Sequence, residues 1–457
     1  MPDQPRSGPG ALAGQLCRYA DQRPTDLAVS YRDVDLNWRE LRDEVARRAR
    51  DAGPVSVVRE DERLEFVLDY LAAHAAGVPL VVAGDHEVGW VLNLVEAQSQ
   101  AVRGLCPGGA EVLFTSGSTA RAKAVLLDGA QMARKAAQIN EVLGPAPDAI
   151  EVLSLPMSHS FGLGRLRCAV SAGRAVRLTD RLPSVDAVFD ELRRWPRASF
   201  AFVSSVVKLL VARHGEALAR WAPGIAQLEI GSEPLEAEVR SQLRRLLPHT
   251  RLGMHYGMTE LSRVAMVDLH GHHGLDSAGH AMPDTEVRVA MPGSGELRTA
   301  GAGDLHVRGA AMVRAYLDDG AVRPVAPDSW LPTGDHGAIG GGMVTIRGRV
   351  SHVVNILGKK VVPEETEGVI RRFLGVVDCV CLPYELTAGV FVLAALVVAV
   401  PGVPVDRAAL HGHLRRSLPA HQVPRRIEFV PDLPRLPNGK VDRRSAGSLV
   451  SQRREGR

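Results

Sequence analysis

From residue 111 to 256, short β-prone runs ("EVLFT", "EVLSL", "ASFAFV", "AQLEI", "RLGMHY") alternate with helix-patterned stretches ("GAQMARKAAQINEVL", "VDAVFDELRRW", "EAEVRSQLRRLL"). A chain that returns to a strand after each amphipathic helix buries both element types as a parallel sheet covered by helices. The full chain has 457 residues. Single cores stop growing near about 250–300 residues, so two to three domains are expected.

The flanks have other patterns. Upstream, "LNWRELRDEVARRARDAG" (36–53) predicts a helix with a capping box at Asn37 and Glu40, a buried face with Leu41 and Val45, and an end at Gly53. "LEFVLDYLAAHAAG" predicts another. After Glu260, glycine and proline punctuate short alternating runs through "GSGELRTAGAGDLHVRGAAMVRAYL" to "GGGMVTIRGRV", a mainly β region. Beyond Arg349, "HVVNIL", "PEETEGVIRRFLG", an apolar run and "DRAALHGHLRRSL" read as a small α+β domain. The expected class is therefore α/β. Residues 1–350 would form a large N-terminal domain of helix-covered parallel sheets with a β-rich subdomain, joined by a hinge to a small α+β C-terminal domain at 351–457.

Composition removes several function classes. Hydrophobic residues are 45% and charged residues 23%, ordinary for a globular chain. A net charge of +3 gives no reason to expect nucleic acid or an anionic membrane as partner. The N-terminus carries no apolar segment of signal-peptide length, which makes cytoplasmic location the expectation. The apolar run Gly389 to Val400 is too short for a membrane span and reads as a buried strand. Five cysteines without a C-x-x-C pair read as reduced and structural, with the two in "CVC" on one strand face. "HGHHG" (270–274) reads as a solvated turn rather than a metal site.

In "EVLFTSGSTARAKAV" a strand runs into Thr115-Ser116-Gly117-Ser118-Thr119, with Lys123 close behind. Hydroxyls and backbone N–H groups converging from a tight loop, with a cation to offset charge, are the parts that hold a polyphosphate. The G-x-x-x-x-G-K-[ST] spacing is absent, and such a loop alone is more often a plain turn.

Further stretches change that reading. In order they are "SLPMSHSFGLG", "EIGSEPL", "HYGMTE", "WLPTGDHG", "IRGRVSHVVNILGKKVVPEETE" and "LPRLPNGKVDR". From about residue 11 to 445 the chain resembles the adenylate-forming superfamily of acyl-CoA synthetases, luciferases and peptide-synthetase adenylation domains. The resemblance implies ATP-dependent activation of a small carboxylic acid to an acyl-adenylate. The acyl group would then pass to the phosphopantetheine thiol of coenzyme A or of an acyl or peptidyl carrier protein. Amide formation with a free amine, or a non-catalytic adenylate-binding scaffold, are the alternatives.

Position by position, the resemblance implies that Thr115, Ser116, Gly117, Ser118, Thr119 and Lys123 hold the β- and γ-phosphates. Thr259 would contact the α-phosphate and Glu260 would bind Mg2+. His255, Tyr256, Gly257 and Met258 carry the adenine motif, with Tyr256 against the ring and Gly231, Ser232, Glu233 and Pro234 lining the other side. Asp335 would receive the ribose hydroxyls, assisted by Arg349. Lys440 would bridge the acyl carboxylate and the α-phosphate, and a rotated C-terminal domain would bring Gly358 to a thiol tunnel. Thr119-Ala120-Arg121-Ala122-Lys123-Ala124 departs from the family's T-G-x-P-K-G, which predicts strain at any alanine needing positive φ and weakened ATP binding. Met254 replaces a common amide, Ser351 stands at the hinge, and the N-terminal region is short. No acidic residue occurs from Leu155 to Ser171, where α-amino-acid-activating relatives place an aspartate. His159, Phe161, Gly162, Val203 and Ser204 are thus expected to line a pocket for an aryl or other acyl acid.

Overall fold

The computed structural model describes residues 11–452 except 85, 116–122, 145, 181–185, 272–274, 276, 292, 319, 357–358, 388–389, 401 and 436–440. The chain forms two compact units. The first comprises 1–287, 307–331 and 342–344; the second comprises 288–306, 332–341 and 345–457.

The alternating segment builds the centre of the first unit. Strands Leu27–Tyr31, Val176–Leu178, Ile150–Leu153, Ala198–Val203, Ile225–Gly231 and Arg251–Met258 lie side by side in that order, all parallel. Antiparallel neighbours flank this run: Val34–Asn37 at one side, Ser262–Asp268 and then Gly279–Ala281 at the other. Crossover helices cover the sheet, so a central strand such as Ile225–Gly231 is buried at every position. One apolar layer gathers Val152, Phe200, Phe202, Ile230, Leu243 and Met254. A second gathers Trp38, Phe66, Tyr70, Leu113 and Leu166.

The alternation does not reveal a second sheet. "EVLFT" belongs to strand Ala110–Thr115, which pairs in parallel with Leu80–Val82 and antiparallel with Lys123–Asp128, itself paired with Ala315–Asp318. Strand Lys123–Asp128 thus partners a segment nearly 200 residues away, a contact that local periodicity cannot encode.

Local signals upstream hold. Asn37 and Glu40 form a reciprocal capping box, and Leu41 and Val45 are buried. The helix Trp38–Arg50 stops at Asp51, two residues before Gly53. In the second unit the apolar run is strand Val390–Ala399, between Val376–Thr387 (antiparallel) and Arg426–Phe429 (parallel). Helices Pro363–Arg371 and Arg407–Ser417 pack Val369, Ile370, Leu410 and Leu414 against Cys379, Cys381, Ala395 and Val397. No helix among the described residues is long and apolar enough to cross a membrane.

All five cysteines are free thiols, four of them buried. Cys17 departs from the structural reading. It is exposed on helix Ala11–Gln22, off the stripe of Leu12, Ala13, Leu16 and Ala20 that the helix buries. In "HGHHG", His270 is held in the turn, its backbone N–H donating to Asp268 Oδ1 at 2.9 Å and its Nε2 2.9 Å from Thr250 O; residues 272–274 lie outside the described ones.

Candidate active site

The parallel strands converge on one edge. Val203 pairs with Gly231 where Ala198–Val203 and Ile225–Gly231 end, and Arg251–Met258 continues past them with His255 and Tyr256. Ligands of open α/β sheets sit outside such carboxyl ends. After Val203 the chain turns directly into helix Ser204–Trp221, and Ser204 Oγ donates to Glu233 O at 2.6 Å. That bond ties the expected acid-pocket segment to the Gly231-Ser232-Glu233-Pro234 turn. Ser232 is exposed with φ of 82°, a left-handed conformation uncommon outside glycine.

"HYGMTE" ends one strand of a β-hairpin and enters its turn. Met258 pairs with Ser262, so Thr259, Glu260 and Leu261 make the connection. Glu260 O accepts the Val313 N–H at 2.7 Å. Burial, then the Glu260 carboxylate, push the Tyr316 phenol up to about 12. Tyr316, which the motif reading missed, lies on Ala315–Asp318 opposite Val125.

The expected phosphate loop is the connection of another hairpin. Thr115 pairs with Lys123, with Thr115 Oγ1 3.4 Å from Lys123 O. Ser116, Gly117, Ser118, Thr119, Ala120 and Ala122 lie outside the described residues. Lys123 is exposed. On one face of the sheet it is followed by Val125, whose cross-strand partner is Tyr316, so Lys123 and Tyr316 belong to one side. Ala124 pairs with Phe114, is fully buried, and is absent from the positive-φ residues. The strain expected of an alanine in this loop is therefore not found at Ala124, because the position is already strand.

His159 is exposed at the start of helix Ser160–Ala172, while Phe161 and Gly162 are in its first turn. A methyl at Gly162 would sit 2.1 Å from Pro156 O. Phe161 meets the His255 ring edge-on at 4.6 Å, and the Arg263 guanidinium lies 5.0 Å from its centroid.

Behind this wall is a buried ionic cluster that the motif reading did not anticipate. Glu229, fully buried, places Oε1 2.7 Å from His255 Nδ1 and accepts from Arg263 Nε at 3.0 Å; its Oε2 accepts from Arg165 Nη1 at 2.7 Å. The histidine contact is bent rather than in line. Arg165 also holds Glu151 through two bonds of 2.7 Å, and Arg174 lies 3.2 Å from Glu151. Burial alone would raise the Glu229 carboxyl, but Arg263, His255 and Arg165 outweigh it and hold it well below the usual range. Burial, then Arg263, lower the His255 imidazole. The hint in the sequence was charged or polar residues inside otherwise apolar strands, Glu151, Gln227, Glu229 and Arg263.

In the second unit, Asp335 is 7% exposed and receives Arg349 Nε at 3.0 Å. The backbone N–H of Asp335 donates to Thr333 Oγ1 at 3.0 Å, and Thr333 donates to Leu305 O at 2.9 Å, which fixes the carboxylate's strand. Lys440 and Gly358 lie outside the described residues. Within the first unit, a cleft of ≈ 620 Å³ beside Arg308, Arg314, Asp284 and Glu286 gathers none of the expected site residues.

The chain belongs to the family of AMP-binding enzymes. The model of the AMP-binding enzyme matches residues 108–317 and that of the AMP-binding enzyme C-terminal domain matches 365–440, together more than half of the chain. Among curated relatives, a 4-coumarate–CoA ligase-like protein of Oryza sativa subsp. japonica is 26% identical over 75% of this chain and 62% of its own length. An indoleacetate–CoA ligase of Aromatoleum aromaticum is 25% identical over 92% of this chain and 84% of its own. Among solved structures, ATP-bound MatB from Rhodopseudomonas palustris superposes with a TM-score of 0.81 at 21% identity, covering 96% of this chain and 98% of that one. That likeness shows the adenylate-forming fold. Of the rice relative, the chain spans less than two thirds.

Proposed function

We propose that the chain activates an aryl or other non-amino carboxylic acid with ATP and passes the acyl group to a phosphopantetheine thiol of coenzyme A or a carrier protein. A carboxylate oxygen attacks the α-phosphorus and pyrophosphate leaves; the thiol sulfur then attacks the acyl carbon, AMP leaves, and the thiol proton passes to solvent. Because two anions must meet, positive charge and positioning dominate the first step. The observation that carries the reading is the face shared by Lys123 and Tyr316 on the sheet that also holds Thr115, with the Glu260 charge close enough to raise the Tyr316 phenol.

In this reading Lys123 and residues 115–119 hold the β- and γ-phosphates, and Thr259 meets the α-phosphate. The Glu260 carboxylate is a hard oxygen donor that fits Mg2+, which would supply charge neutralisation when bound. Tyr256 and residues 231–234, with His255, Gly257 and Met258, form the adenine side. Asp335, oriented by Arg349, takes the ribose, Lys440 joins carboxylate to α-phosphate, and Gly358 admits the thiol. His159, Phe161, Gly162, Val203 and Ser204 surround the acid. Glu229 supports a non-amino substrate, since its carboxylate is committed to Arg165, Arg263 and His255 and so does not offer itself to a substrate ammonium.

Acid-dependent ATP–pyrophosphate exchange across a panel of aryl, acyl and amino acids tests the first step. Exchange with a non-amino acid that Lys440→Ala nearly abolishes is expected; no exchange with any acid would leave a non-catalytic scaffold. Mass spectrometry of products formed with coenzyme A, a holo carrier protein or a free amine then identifies the acceptor.

A further inference from the structure

Val203, Gly231, Phe161 and His255 converge at the carboxyl ends of the parallel strands, and His255 is the polar side chain among them. Its ring lies across Gly231: a methyl there would come within 2.2 Å of Cε1 and 2.5 Å of Nε2. Nδ1 lies beside Glu229, and Nε2, across the ring from it, is the nitrogen turned away from that carboxylate.

At 2.7 Å from a carboxylate oxygen, a ring nitrogen must carry the proton, because a lone pair there would face another lone pair. Glu229 is already compensated by Arg165 and Arg263, so it does not need a charged imidazole. Arg263 is in turn locked in place. It packs where a methyl at Gly164 would come within 2.2 Å of its Nη1, and its own Nη atoms lie 3.5 Å from Ser160 O and Phe161 O. The imidazole is thus a neutral ring with Nδ1–H toward the cluster and a lone pair on Nε2.

We propose that Nε2 of His255 is a hydrogen-bond acceptor in the acid pocket, and that the substrate class is carboxylic acids bearing a neutral hydroxyl or arylamine donor beyond the carboxylate. This rests on the acid-activating reading above. Arg165, Arg174 and Arg263 outnumber Glu151 and Glu229 in the cluster, which disfavours a cationic ammonium and leaves the neutral donor. Phe161, half-buried and edge-on to the imidazole, supplies an apolar wall for the body of the acid. His255 is in this account a specificity residue.

The test compares pairs of acids that differ only in the donor, such as ring-hydroxylated and unsubstituted aryl acids, in the pyrophosphate exchange assay with wild type, His255→Leu and His255→Gln. Wild type should favour the hydroxylated member in kcat/KM by about tenfold or more, since an unmet buried acceptor is costly. His255→Leu should remove that preference, and His255→Gln, which can present an amide oxygen, should restore part of it. Equal use of both members by wild type overturns the proposal without any variant. An equal fall with both acids in His255→Leu also overturns it, by marking the histidine as structural. Exchange with none of the acids overturns the acid-activating reading itself, which the paired comparison distinguishes from loss of discrimination.

Discussion

Arg165 and Glu229, 64 positions apart in sequence, meet in the core at 2.7 Å with both side chains fully buried. The same guanidinium makes a two-pronged contact with Glu151, so one arginine links the strands Ile150–Leu153 and Ile225–Gly231 from a helix packed on their sheet.

Removing one member of such a group leaves uncompensated buried charge. Arg165→Leu is expected to lower stability by about 3–5 kcal/mol, measured as a lower denaturant midpoint. Arg298→Ala, which breaks a pair on the surface, is expected to stay within about 0.5 kcal/mol of wild type. Equal effects of the two changes would show that burial does not set the cost.

Ala124→Gly copies the family's phosphate-loop glycine but enters a buried strand. It should destabilise by about 1 kcal/mol, read by thermal melting, and leave the KM for ATP unimproved. A lower KM for ATP would return the strain to this position.

Lys135 is buried, its Nζ donating to Thr285 Oγ1 at 2.9 Å and to Pro283 O at 3.2 Å. Burial pulls the ammonium down to about 8; Asp284 opposes this and Arg134 adds to it. Between about 8 and the unfolded value of about 10.4 the unfolded chain binds more protons, so this residue's contribution becomes more favourable as pH rises. Below pH 8 its charging cost is fully present. The stability of wild type relative to Lys135→Met should therefore improve from pH 7 to 10, measured by denaturant titration; a constant difference would refute the depressed ammonium.

Glu260→Gln removes the anionic oxygen from the proposed metal site. The Mg2+ concentration for half-maximal exchange should rise about tenfold or more, with the KM for the acid nearly unchanged. Tyr316→Phe, which deletes the neighbouring phenol, should shift Mg2+ dependence far less than Glu260→Gln.

Local patterning was enough for much of the architecture. The alternation of strands and helices, the Asn37–Glu40 capping box and the apolar strand near residue 395 are set by contacts within a few residues, and each is present. The motifs identified the family because their residue types and order survive in one dimension. Tertiary structure alone decided three things. Lys123–Asp128 is a strand because Ala315–Asp318 and Ala110–Thr115 flank it. Tyr316 shares a face with Lys123 because that sheet brings residues from two distant segments together. Glu229, in a motif read only for its backbone, became the anchor of His255 because Arg165 and Arg263 arrive from other elements to neutralise it. Periodicity records which face of an element is apolar, but a buried charge survives only where partners from elsewhere in the chain meet it.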